Sequence, residues 1–338
     1  MGLTTKDVAK KAGVSQATVS RVLNGHHYVN VETKEKVLKI IKELGYQPNH
    51  IARSMALQKT NALGLIVSDI VNPFYSEIAK NIIDEAKRLG YEIILCNTDH
   101  DPEVQNFYIE FLKQRRVDGI IFASVKLKDK EVERLVTANF PCIFINSRLK
   151  LKKASFVVTD NKKGAKLAIN HFIDLGHKRI GFISGPSTIS TAQERLEGYK
   201  EALLAKGLAI DDNYIKDQSF NPKYAYQATR ELLNMPVPPT AIFVANDVMA
   251  FKVMEALLDL DLDIPGDVAI IGYDDVVMSG HKRIGLTTVA QDKSRIGRLA
   301  VEGLIQMIDK GPENVKPMHT MLEPKLIIRD TCGSKVYC

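Results

Sequence analysis

From Leu63 onward one unit keeps returning: a short aliphatic run, then an amphipathic stretch with helical spacing. The runs are Leu63–Ser68, Tyr91–Asn97, Val117–Ala123 and Pro141–Asn146, and the rhythm resumes near Arg179–Ser184, Ala241–Ala245 and Val268–Tyr273. Runs this uniformly apolar suit strands buried on both faces. Strands of that kind, separated by helices, build a parallel sheet with a helical layer on either side. The expected class is therefore α/β, with the parallel sheet built twice. A chain of 338 residues with 45% hydrophobic content can bury more than one such core.

The first sixty residues follow another pattern. In TTKDVAKKAGVSQATVSRVLNG (4–25), Thr4 and Asp7 form a capping box, Val8, Ala9 and Ala12 make an apolar face, and Gly13 supplies the turn. Ser15 caps a second helix whose Val19, Val22 and Leu23 face inward, leaving Gln16, Ala17, Ser20 and Arg21 outside. A third helix is expected from Thr33 to Leu44, ended by Gly45 and Pro48. Residues 49–58, capped by Asn49, read as one more helix, too short at about ten residues to be stable without a partner.

Charge divides the chain at the same place. Residues 1–60 hold ten Lys and Arg against four Asp and Glu, which leaves thirty-six of each in the remainder. A basic head on a neutral body is the footprint of a polyanion-binding end joined to a part with another task. No stretch approaches the roughly 18 apolar residues of a membrane span, the first residues are too polar for a signal peptide, and Lys6 spoils a myristoylation reading of Gly2. No membrane partner is expected. Cys96, Cys142, Cys332 and Cys338 are too few and scattered for a disulfide framework or a zinc site, which fits a reducing cytoplasm. There is no Walker loop, dinucleotide fingerprint, nucleophile elbow or metal-spaced cluster, so neither an enzyme nor a cofactor is expected. Asp99-His100-Asp101 reads as a turn and cap ahead of Pro102.

Residues 4–25 resemble the DNA-binding head of the lactose/galactose repressor family of bacterial transcription regulators. The likeness continues through YQPNHIARSMA (46–56), GLIVSDIVNPFYSEI (64–78), QRRVDGIIF (114–122), LGHKRIGFISGP (175–186), RLEGY (195–199), PTAIFVANDVMA (239–250), IPGDVAIIGYDD (264–275) and LTTVAQD (286–292). NPFY (72–75) and CNT (96–98) resemble ribose and related repressors in particular. The resemblance implies a helix-turn-helix DNA-binding domain with hinge helix over 1–60. It also implies a core like that of periplasmic sugar-binding proteins over 61–330, with two lobes and three crossings between them; residues 331–338 remain as a tail.

The DNA-contacting residues expected from the motif and the resemblance are Ser15, Gln16, Ala17, Thr18, Arg21 and Asn24, with Asn49, Ala52 and Met55 in the hinge. Gln suits adenine, Arg suits guanine and the Ala17 methyl suits thymine. Met55 stands where the family usually carries a Leu wedged into the minor groove, and RIGLTT (283–288) lacks two prolines common in the family. The effector positions carried over are Asp69, Phe74, Tyr75, Asn146, Arg195, Phe220, Asn246 and Asp274. Phe74 and Phe220 can equally be core, and Asp247 and Asp275 equally helix caps. The expected partners are a near-palindromic double-stranded operator, a small-molecule effector and a second copy, as a homodimer or a tetramer. Amide and carboxylate groups favour a neutral sugar. A purine effector, or a phosphorylated carrier protein as corepressor, is the alternative, and a sugar-active enzyme the more distant one.

Overall fold

The computed structural model describes residues 3–23, 28–45 and 59–334. They fall into two compact units, Met1–Asn61 and Ala62–Cys338. Asn24, Asn49, Ala52, Met55 and the expected hinge helix at 49–58 lie outside the described residues.

In the small unit α1 (Thr5–Ala12), α2 (Gln16–Leu23) and α3 (Val31–Leu44) share a core of Val8, Ala9, Ala12, Val19, Val22, Val37 and Ile40. The Thr4/Asp7 capping box forms, and Gly13 ends α1 in the left-handed conformation (φ 63°). The third helix starts two residues before its expected position, because the Asn30 side chain accepts from the Glu32 amide and caps it there.

The large unit contains two six-stranded sheets, ordered β11-β5-β4-β3-β1-β2 and β12-β10-β9-β8-β6-β7. Seven of these strands fall on the aliphatic runs: β1 (Ala62–Val67), β2 (Glu92–Asn97), β3 (Gly119–Phe122), β4 (Cys142–Ile145), β6 (Ile180–Ile183), β8 (Ala241–Val244) and β9 (Ala269–Asp274). The other five are β5 (Ser155–Thr159), β7 (Ile215–Lys216), β10 (Thr288–Ala290), β11 (His319–Leu322) and β12 (Lys325–Ile327). All pairings are parallel except β10 with β12.

The first sheet lies between α4 (Pro73–Arg88) with α11 (Lys293–Lys310) on one face and α5 (Pro102–Gln114) with α6 (Lys130–Thr137) on the other. The second lies between α7 (Asn161–Asp174) with α8 (Ser190–Ala205) and α9 (Pro222–Leu233) with α10 (Asp247–Leu258). The chain leaves the first lobe after β5, returns after β10 into α11, and leaves again between β11 and β12, so three crossings join the lobes. The 331–338 segment is not a free tail throughout. Thr331 and Cys332 are buried; Thr331 exchanges hydrogen bonds with Ile270 of β9, and its Oγ1 accepts from the Thr287 amide.

Candidate functional site

The face of α2 is set by its first turn. Ser15 Oγ accepts from the Thr18 amide (3.1 Å) and meets Thr18 Oγ1 (2.9 Å), so its hydroxyl is committed to capping. Gln16, Ala17 and Arg21 are exposed, while Thr18 is half-buried. Gln16 Nε2 donates to Thr5 Oγ1 (2.7 Å), which steadies the side chain. One N–H and the carbonyl oxygen stay available, which is what bidentate pairing with adenine uses. Arg21→Ala should cost about 1–3 kcal/mol per half-site and relax sequence preference, whereas Lys34→Ala, at an exposed lysine on α3, should weaken operator and random duplex alike. Fluorescence anisotropy on both duplexes checks this, and equal losses for Arg21→Ala on both would remove the assigned face.

In the large unit, all eight residues expected at the effector site line one cleft between the lobes. They come from the carboxyl ends of strands or the helix starts beyond them, where open parallel sheets bind ligands. The enclosed part of the cleft is narrow, with a volume of about 70 Å³ between the two lobes.

On the first lobe Asp69 Oδ1 accepts from the Val71 amide, and Asn72 caps α4 through the Phe74 amide. That turn brings Phe74 and Tyr75 together edge to face, with ring centroids 5.3 Å apart. Tyr75 Oη accepts from Asn146 Nδ2 (3.3 Å), and Asn146 itself has left-handed backbone (φ 62°). Burial holds the Tyr75 phenol above its usual range, so it stays neutral.

On the second lobe Arg195 is buried with its guanidinium carbon 3.5 Å from the centre of the Tyr273 ring. Its Nε donates to Asn161 Oδ1 (3.0 Å) and its Nη1 to the Ala245 carbonyl. Two of five N–H groups are spent, and three remain for a ligand. Asn246 caps α10 by accepting from the Met249 amide, which leaves its NH₂ group unspent by the cap. The Phe220 ring packs against Gly185, where any β-carbon would overlap it. Asp274 Oδ1 accepts from Gln291 Nε2 (2.7 Å), and burial pushes its carboxyl up to about 6 against the opposing pull of Arg195, Gln291 and Lys293.

Of the two open cases, Asp247 does not cap: Asn246 does. The buried Asp247 carboxylate accepts from the Val276 amide, Ser279 Oγ and Thr288 Oγ1, fixing the loop beside the cleft. Asp275 pairs with Arg329 (2.6 Å). Asp101 caps α5 as expected, but His100 beside it lines the cleft instead of serving only as a turn. Asn72, Ser124, Thr191 and Val248 line it too and were missed. Thr191 sits one turn before Arg195 on α8, and Ser124 and His100 follow strand ends, so helical spacing and the strand-end rule could have found them. Among the described residues no helix is long and apolar enough to cross a membrane.

A helix-turn-helix head joined to a two-lobed core with a polar and aromatic cleft defines a ligand-responsive DNA-binding regulator. Residues 4–49 match the bacterial regulatory proteins of the lacI family, and residues 169–332 match a periplasmic binding protein-like domain. The chain is 36% identical over 335 residues to the HTH-type transcriptional repressor PurR of Haemophilus influenzae (strain PittEE), covering 98% of this chain and 99% of that one. It is 37% identical over 308 residues to the ribose operon repressor of Escherichia coli (strain K12), covering 90% and 93%. Among solved structures, the lac repressor dimer bound to operator and the anti-inducer ONPF is 29% identical, with a TM-score of 0.85 over 98% of this chain and 99% of that one. A complex of the transcriptional regulator CelR with cellobiose is 31% identical, with a TM-score of 0.75 over 97% and 99%. The chain belongs to the lacI family: it is a transcriptional repressor with a DNA-binding domain and a ligand-binding core.

Proposed function

We propose that the cleft takes one small neutral sugar, a pentose such as ribose, and that the sugar releases a homodimer of this chain from a near-palindromic operator. The observation that carries the reading is the pairing of two buried charges with unspent hydrogen-bonding capacity. Arg195 has three free N–H groups, and the Asp274 carboxylate is engaged at one oxygen by Gln291. A donor set and an acceptor facing one cleft suit vicinal hydroxyls, each of which gives and takes a hydrogen bond. Asn146 and Asn246 add amides, and Phe74 and Phe220 supply apolar faces for the C–H side of a ring.

The ribose operon repressor and the cellobiose complex among the similar proteins are consistent with a sugar; a purine base is the second reading, for which the two phenylalanines are the supporting feature. A lining made of a carboxylate, amides and an arginine weighs toward the sugar, and also toward a small molecule over a phosphorylated carrier protein. Operator affinity measured against pentoses, hexoses and purines decides: release by a sugar alone supports the reading, and a response to a purine alone replaces it.

A pH dependence follows from Asp274. A sugar hydroxyl donates to the ionised carboxylate, and the empty site holds its proton up to about pH 6. Binding is therefore favoured above that pH and opposed below it. Sugar affinity should rise about tenfold from pH 5 to pH 7.5 and then level, by titration calorimetry, since one unit corresponds to about a factor of ten in the population of the binding-competent form. A flat profile would remove Asp274 from the hydroxyl contacts.

A further inference from the structure

Next to the cleft, a single ammonium group spans both lobes. Lys293, the first residue of α11, lies where the chain returns to the first lobe, and its side chain is only 12% exposed. Its Nζ donates to the Asp274 carbonyl (3.0 Å), to the Asp275 carbonyl (2.8 Å) and to Glu77 Oε2 (2.7 Å). A lysine has three N–H donors, so all three are used: two on the second lobe, one on α4 of the first. Glu77 Oε1 accepts from the Val277 amide (3.2 Å), so both oxygens of this carboxylate hold the 274–277 segment.

That segment is held in a costly shape. Asp274 (φ 114°) and Asp275 (φ 49°) are consecutive non-glycine residues with positive φ, and such backbone persists only where its surroundings impose it. The two carbonyls taken by Lys293 are those of this pair, and the shape aims the Asp274 side chain into the cleft. A second line runs from the Asp274 carboxylate through Gln291 to Thr159 Oγ1 at the end of β5 (2.7 and 2.6 Å).

We propose that Lys293 and Glu77 are positioning residues that couple the cleft to the first lobe: Lys293 holds the Asp274–Asp275 turn, and Glu77 ties that turn to α4. A ligand bound to Asp274 then acts on a turn whose other end is fastened to the lobe from which the chain runs to the DNA-binding unit. Coupling of this kind requires one element whose arrangement both sites bias, and the doubled aspartate turn is that element. The proposal rests on the sugar reading of the cleft only for its choice of ligand.

The test uses the full-length protein with D-ribose as probe. Glu77→Ala does not touch the cleft, so ribose affinity and ligand-free operator affinity should stay within about threefold of the parent. The ratio of operator affinities without and with saturating ribose should collapse about tenfold or more, within the usual 5–150-fold span of such couplings. Lys293→Met should lose ribose affinity as well, because Asp274 is no longer aimed. In both variants amide exchange across 274–280 should quicken about tenfold without any ligand. The double variant Glu77→Lys with Lys293→Glu restores opposite charges but cannot hold two carbonyls, so the coupling should stay lost. Unchanged exchange in Glu77→Ala, a parental ribose response in that variant, or recovery of coupling in the double variant overturns the proposal. If the parent ignores ribose but answers a purine of the panel, the sugar reading fails alone, and the same variants decide the coupling with that purine.

Discussion

Arg195→Ala should give a repressor that holds its operator and no longer answers its effector. The guanidinium is buried against Tyr273, spends two N–H groups on Asn161 and Ala245, and keeps three for the cleft. Each charge-assisted hydrogen bond contributes about 1.5–3 kcal/mol, so losing two of them lowers effector affinity roughly 10²–10⁴-fold. The DNA-binding face stands in a separate compact unit with its own core, so ligand-free operator affinity should be unchanged. Alanine also strands the Asn161 side-chain oxygen and the Ala245 carbonyl, which lowers thermal stability. Arg195→Met, which keeps the apolar stem over Tyr273, separates that loss from the loss of ligand contacts. Calorimetry with the sugar panel and operator binding with and without sugar are the measurements. A variant that releases the operator as the parent does would remove Arg195 from the site.

A second large effect is expected from salt. The excess charge of the chain lies in residues 1–60, and Lys6, Lys10, Lys11, Lys34 and Lys36 are exposed there. Two heads on one operator that neutralise about 6–10 phosphates release a matching number of condensed counterions, so affinity should fall roughly 10³–10⁵-fold between 50 and 200 mM salt. Light scattering should find a dimer or a dimer of dimers. An interaction indifferent to salt, or one monomer per operator, would end this account. Arg21 and Lys34 part company in the same titration: removing a phosphate contact lowers the salt slope, and removing a base contact does not.

Residue types and local spacing were enough for the elements that carry their own signal. The capping box at Thr4 and Asp7, the turn at Gly13 and the inward Val19 and Val22 appear as expected, because a short helix and its caps are decided by residues three or four apart. Six of the seven aliphatic strands are similarly legible, since burial on both faces leaves nearly uniform apolar runs, while β2 ends its sheet with Glu92 and Leu95 exposed. Asn30 shows the limit of that reading: an asparagine two residues earlier offered the better cap and moved the start of α3. The eight cleft residues came from likeness to a family, not from periodicity, and the cleft brings them together.

What the chain could not declare locally are features whose partners are far away in sequence. β5 and β11 pair across some 160 residues, and β10 and β12 are three-residue strands, β12 at the edge of its sheet, with no alternation to read; each exists because another strand already stands beside it. The same holds for chemistry. Nothing near Lys293 in the sequence marks it as the holder of the Asp274 and Asp275 carbonyls, nor Glu77 as its partner. His100 looked like part of a turn until the end of β2 set it at the cleft. Period, caps and charge are properties of neighbours along the chain and so are written in it. The aim of a carboxylate, the spending of an ammonium's three protons and the burial that lifts Asp274 toward neutrality depend on which distant groups the fold brings within hydrogen-bond reach, and only the tertiary structure decides those.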